Sequence, residues 1–225
     1  MPGSTEPYAI GGALAGTESL EAANDFVGYE VLIDFIEERA LHELPGDLVE
    51  IGAFLGGGTA KLARFAHKYG KKVLVIDVFD PEYDRTCDTS GTRMCDIYRA
   101  FLAGRSQREV YDEATRDFDN VVTIDKDSRE VELSERQQLI FGFIDGNHHP
   151  DHVRSDFHLV WRYLLPGGCV GFHDYDFDLP EVTEAIDRLI EEHRAEIEDV
   201  HRIRDKTIIL LTKVADNLAS EPEHA

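Results

Sequence analysis

Six short apolar runs, DLVEIGAF, KKVLVIDVF, NVVTID, LIFGFIDG, GGCVGFHD and TIILLTKV, constrain this chain more than any other feature. Runs of this length bounded by turn residues read as strands, and an unbroken one such as KKVLVIDVF as a strand buried on both faces, the usual situation in parallel sheets. Between them lie stretches with helical spacing. Residues 18–43 place Val27, Val31, Phe35 and Ile36 on one face before Leu44-Pro45-Gly46 ends the helix. Residues 95–116 turn Ile97, Phe101 and Leu102 inward, and Asp151–Leu165 does the same with Val153, Phe157, Val160, Trp161 and Leu164. Glu181–His193 is a last helix, and TIILLTKV is expected at an edge or in a hairpin. Such alternation predicts an α/β fold with an open, mainly parallel sheet and helices on both faces. The expected organisation is one domain over 1–225: a helical segment over 1–45, a core over 48–214 and a frayed tail over 215–225.

Charge narrows the partners. A formal net charge of −22 repels nucleic-acid phosphates and anionic lipid, so a small-molecule acceptor is expected instead. The N-terminal MPGSTEPYAIGGALAG lacks a basic n-region, and the run Ile208–Leu211 is far too short to cross a bilayer. Cys87, Cys95 and Cys169 form an odd, sparse set, which suits a reducing cytoplasm and free thiols rather than a disulfide framework or a zinc site. The N-terminal amphipathic helix could serve a homodimer.

In open parallel sheets, ligands bind beyond the carboxyl ends of the strands. The first run ends in Glu50-Ile51-Gly52-Ala53-Phe54-Leu55-Gly56-Gly57-Gly58-Thr59, a glycine turn opening a helix. No Gly-Lys-Ser/Thr follows, and Phe54 stands where a dinucleotide fingerprint needs its second glycine. Glu50 would repel a pyrophosphate and attract a cation. Asp77 ends the second run, placed to accept both hydroxyls of a ribose, and Asp127-Ser128 follows the third, placed for an adenine amino group. Together these describe a nucleoside without phosphate beside a positive charge, which fits the sulfonium S-adenosylmethionine.

With VEIGAFLGGGT, VLVIDVFD, the DKDS turn, FGFIDGNHH and LLPGGCVGFHDYD, the chain resembles class I S-adenosylmethionine-dependent methyltransferases over residues 48–176. The resemblance is nearest to a small-molecule branch that includes macrocin O-methyltransferase-like and cephalosporin-hydroxylase-like proteins. It implies a Rossmann-like, doubly wound seven-stranded sheet whose C-terminal strand is antiparallel. It also implies that Glu50, Gly52 and Gly56 line the methionine end of the cofactor, that Asp77 binds its ribose, and that Asp127 and Ser128 bind its adenine. Asp145 would face the transferring methyl group. In related proteins an acid there and an acidic pair after the fifth strand hold a divalent cation; here the pair reads His173-Asp174.

Methyl transfer to an alcohol or phenol needs the acceptor's proton removed. His148, which holds the place of a histidine in related sequences, and His173 are the candidate bases, with Asp145 as the third catalytic candidate. Asp145, His173 and Asp174 could hold Mg2+ or Mn2+ from two adjacent strand ends. His149 is expected in a solvated turn, His152 on a helix surface, and Tyr175 and Asp176 at the border of the acceptor pocket. The long segment 81–95 is expected to act as a lid or acceptor-binding loop. Two other classes compete with an O-methyltransferase for a small hydroxylated molecule: a metal-dependent hydrolase or hydroxylase-like enzyme, and a non-catalytic cofactor-binding module.

Overall fold

The computed structural model describes residues 25–215. Seven strands form one sheet: β1 (Asp47–Ile51), β2 (Val73–Asp77), β3 (Val121–Asp125), β4 (Leu139–Ile144), β5 (Leu164–Phe172), β6 (Ile197–Ile203) and β7 (Ile208–Lys213). Their order is β3-β2-β1-β4-β5-β7-β6, with only β7 reversed. The order changes direction between β1 and β4, so the crevice beyond their carboxyl ends is the switch point where a ligand is expected. The doubly wound, mainly parallel sheet and its antiparallel C-terminal strand are as the sequence predicts.

Strand alternation builds two cores. Val49 and Ile51, Leu74 and Ile76, Val170 and Phe172, and Ile209 and Leu211 face one side. There they meet Phe157, Val160 and Trp161 of α5 (Pro150–Tyr163) and Ile186 and Leu189 of α6 (Pro180–Glu192). Leu48, Val73, Val75, Cys169 and Leu210 face the other side. They pack on Leu32, Phe35 and Ile36 of α1 (Glu30–Glu38), on Leu62 and Phe65 of α2 (Gly57–Lys68), and on Tyr111 of α4 (Gln107–Thr115). Burial on both faces explains why the strand runs lack polar alternation. No helix among the described residues is long and apolar enough to cross a membrane.

Three expectations need correction. The helix expected over 18–43 spans only Glu30–Glu38 among the described residues, since the Asp25 carboxylate takes the amides of Val27, Gly28 and Tyr29 in a local turn. Left-handed Ala40 then stops the helix well before Leu44. The stretch 95–116 is two helices, α3 (Met94–Leu102) and α4, because Ala103 and Gly104 both take positive φ, 50° and 85°. Phe101 is consequently 48 % exposed rather than inward, its ring against Phe26 and Phe54. TIILLTKV lies in a hairpin, as expected, paired with β6; the edge belongs to β6, whose sequence IEDVHRI carries no apolar run. Residues 1–24 and 216–225, including nearly all of the expected frayed tail, lie outside the described residues.

Candidate active site

The glycine turn joins β1 to α2 through three left-handed residues, Gly52, Phe54 and Gly56, with φ of 86°, 46° and 81°. Gly52 is required by contact as well as conformation. A Cβ there would lie 2.1 Å from the carbonyl oxygen of Asp145, so the turn rests directly on the end of β4. Asp77, ending β2, ties the turn from the other side: its Oδ2 accepts from the amides of Ala53 (2.8 Å) and Phe54 (3.2 Å), and its Oδ1 from Phe79 (2.7 Å). Burial raises the Asp77 carboxyl above its ordinary range against the pull of these amides.

Glu50 does not present its carboxylate to a crevice. The side chain is 0 % exposed, with Oε1 accepting from the Tyr29 hydroxyl at 2.7 Å and Oε2 from Thr59 at 2.5 Å. Burial pushes its carboxyl up to about 8, outweighing the two hydroxyl hydrogen bonds. Burial thus favours the protonated form of Glu50 and weakens the cation-attracting role expected of its charge.

Asp145 after β4 and His173-Asp174 after β5 come together as expected, joined by His148. His173 Nδ1 lies 3.3 Å from Asp145 Oδ1 and 3.1 Å from Asp174 Oδ1. His148 Nε2 lies 2.7 Å from Asp174 Oδ2, and its Nδ1 lies 2.5 Å from Asp84 Oδ2. Burial disfavours the charged form of both rings, but the flanking carboxylates outweigh it and raise His148 to about 10 and His173 to about 11. The same histidines hold Asp174 well below the usual carboxylate range against its burial. Asp174 keeps a left-handed backbone, φ 57°, the kind of strain retained where surrounding contacts require it.

Among the described residues one group of side chains could hold a metal ion: single ligand atoms of Asp145, His148 and Asp174 lie within 4.8 Å of one another. His173, expected in this trio, stands beside it with its Nδ1 against both acids, while His148 Nε2 converges with them. Two carboxylates and one imidazole suit Mg2+ or Mn2+.

A family profile for a methyltransferase domain matches residues 49–175, from β1 to the turn after β5. The chain belongs to the methyltransferase-domain family. Its fold is that of class I S-adenosylmethionine-dependent methyltransferases, shared with the O-methyltransferase NovP at 18 % identity and a TM-score of 0.61, over 84 % of this chain and 80 % of that one. Calicheamicin methyltransferase CalS11 aligns at 18 % identity and 0.58, over 81 % and 77 %, and a putative caffeoyl-CoA O-methyltransferase from Staphylococcus aureus at 15 % and 0.56, over 88 % and 93 %. No curated protein matches the sequence.

In this methyltransferase the remaining predicted residues fare unevenly. Asp127 caps the turn after β3, and its carboxylate is held low by Arg129, with Tyr83 hydroxyl donating as well. The Ser128 hydroxyl is hydrogen-bonded to the carboxyl of Asp156. His149 caps α5 by accepting from the Asp151 amide. His152 is buried, edge-on to Tyr83, rather than on a helix surface, since the 80–93 segment covers that side of α5. Tyr175 turns into the core, its hydroxyl bonded to Asp187 and Arg202, so it does not border a pocket. All three cysteines are free, with Cys87 exposed.

Sequence reasoning missed Asp84 and Asp156. Asp156 on α5 is 1 % exposed and has one carboxyl oxygen without a hydrogen-bond partner. Burial pushes it up to about 7, with the Ser128 hydroxyl opposing. Its place three residues after Val153, on the apolar face of α5, was the available signal.

The burial of Glu50 has a measurable consequence. Its folded value lies above its ordinary value of 4.5, so its favourable protonated state is fully present at low pH and is lost as pH rises from about 4.5 through about 8. Stability should fall across that window by up to about 1.4 kcal/mol per pH unit from this group. Glu50→Gln resembles the protonated side chain and should flatten that slope in urea unfolding. An unchanged slope would show that Glu50 is ionised in the fold.

Proposed function

We propose that this methyltransferase transfers the methyl group of S-adenosylmethionine to a hydroxyl oxygen of a small molecule such as a sugar or secondary metabolite. The observation that carries this reading is the contact of the Gly52 turn with Asp145, which sets a cluster of acids and histidines against the cofactor turn. The donor set fits the cofactor. Asp77 stands at the end of β2 beside the turn for the ribose hydroxyls, which would take the place of the long 3.3 Å contacts from the Gln107 side chain. Ser128 lies after β3 for the adenine, and Gly52 and Gly56 let the backbone approach the methionine end. The carboxylates of Asp77, Asp145 and Asp174 provide the negative field that a sulfonium needs.

Asp145 and His173 are the most open members of the cluster, each with a side chain 21 % exposed. Asp145 takes the acceptor's proton as the new carbon–oxygen bond forms and the carbon–sulfur bond breaks, and His173 orients the Asp145 carboxylate. His148 has both ring nitrogens against carboxylates and is not free to act as the base. Asp145, His148 and Asp174 would hold a divalent cation, which when bound supplies Lewis acidity that lowers the acceptor's pKa. The acceptor is assigned to a cleft of about 110 Å3 bounded by Thr86, Asp88, Thr89, Leu179 and Glu181, with His148 in its lining. Two similar folds belong to proteins described as an O-methyltransferase and a putative caffeoyl-CoA O-methyltransferase, at TM-scores of 0.61 and 0.56, above the 0.52 of the N-methyltransferase NodS, which supports oxygen as the acceptor atom.

Incubation with methyl-labelled S-adenosylmethionine, Mg2+ and a panel of sugars and phenols tests this reading. Label is expected in a methyl ether. Label appearing only on nitrogen or carbon would overturn the oxygen assignment.

A further inference from the structure

Asp84 lies in the segment 80–93, beyond the end of β2, and is 5 % exposed. Among the described residues its ionic partner is His148. Asp84 Oδ2 accepts from the backbone amide of His148 at 3.3 Å and stands 2.5 Å from its Nδ1. The other oxygen accepts from the Thr86 amide at 2.9 Å, and the Asp84 carbonyl accepts from Cys95 at 3.0 Å at the start of α3. The preceding carbonyl, of Tyr83, accepts from the Asn147 side chain at 3.3 Å. Two consecutive residues of the segment therefore grip two consecutive residues of the loop after β4.

A carboxylate only accepts, so each ring nitrogen of His148 carries a hydrogen while it faces one, Nδ1 toward Asp84 and Nε2 toward Asp174. A bound metal would take the place of the Nε2 hydrogen, and the Asp84 contact would then keep the hydrogen on Nδ1 and the ring plane set, with Nε2 toward Asp174 and Asp145. A metal-bound imidazole needs just this arrangement, with its distal N–H held by a carboxylate that makes the ring a better ligand. Asp84 is not itself a ligand, because it occupies the other ring nitrogen.

We propose that Asp84 is a positioning residue that holds His148 in its metal-ligating tautomer and thereby ties the 80–93 segment to the metal site. This rests on the metal reading above, not on the identity of the acceptor.

Mn2+ titration of the full-length protein, followed by electron paramagnetic resonance, tests it with wild type and Asp84→Asn. Calorimetry with S-adenosylhomocysteine on both proteins is the control. The variant should lose about 10–100-fold in Mn2+ affinity, with S-adenosylhomocysteine affinity unchanged within about twofold, a margin below the range for an outer-shell effect. Equal Mn2+ affinity in the two proteins would overturn the proposal, as would a wild type that binds no Mn2+. In that last case retained S-adenosylhomocysteine binding would leave the methyltransferase reading standing. A long-range 1H–15N spectrum of Mg2+-loaded wild type needs no variant. Hydrogen on Nδ1 and none on Nε2 of His148 is expected, and a hydrogen on Nε2 overturns the assignment.

Discussion

Gly52→Ala should destabilise the protein by roughly 4 kcal/mol or more and abolish cofactor binding. The added methyl would sit 2.1 Å from the Asp145 carbonyl oxygen and 2.7 Å from the Gly146 Cα, both backbone atoms of β4's continuation. Neither can rotate away, and a φ of 86° adds strain for any side chain. Relief requires β1 and β4 to separate at the switch point, which disconnects the turn from Asp145. Gly56→Ala is the informative contrast. Its φ is also positive, but the nearest atom is a side-chain carbon of Tyr111 at 2.9 Å, so a smaller loss is expected. Urea unfolding of the two variants checks the ranking, and equal, mild losses would mean that the turn is not seated on β4.

Asp145→Asn should reduce kcat by about 10²–10⁴-fold while leaving S-adenosylhomocysteine affinity within a few-fold of wild type. The amide keeps the shape of the side chain and the backbone bond from the Asp145 amide to the Ile51 carbonyl, so the sheet should hold. What disappears is the charge that takes the proton and the partner that meets His173 at 3.3 Å. Single-turnover kinetics separates the two effects. Turnover within tenfold of wild type would remove Asp145 from the chemistry, and loss of cofactor affinity would assign it to binding instead.

How much of this was legible in the sequence follows from burial. Strands covered on both faces print an apolar run, so β1, β2, β4, β5 and β7 were readable, and their ends located Asp77, Asp145 and His173-Asp174. The edge strand β6 was not readable, since IEDVHRI alternates with charged, half-exposed residues. The break after α3 depends on left-handed Ala103 as well as Gly104, and alanine gives no such signal. Glu50 was found, but its preference for the protonated form was not, because that depends on Tyr29 and on complete burial. Asp84 is hidden for another reason. It sits in a polar, irregular segment and meets His148 across 64 positions of chain, a pairing without local signature. His173 was expected among the metal ligands because it stands where related proteins have the first acid of a pair, and the position of His148 beside Asp145 and Asp174 depends on side-chain direction, which spacing does not give.

The central claim, that the strand-end acids and the glycine turn bind S-adenosylmethionine, is tested most directly by calorimetry. Wild type titrated with S-adenosylhomocysteine should show a single site of micromolar affinity, and Asp77→Ala should lose most of it while remaining folded. Wild type that gives no heat with S-adenosylhomocysteine or with S-adenosylmethionine, and no shift in melting temperature with either, would contradict the account.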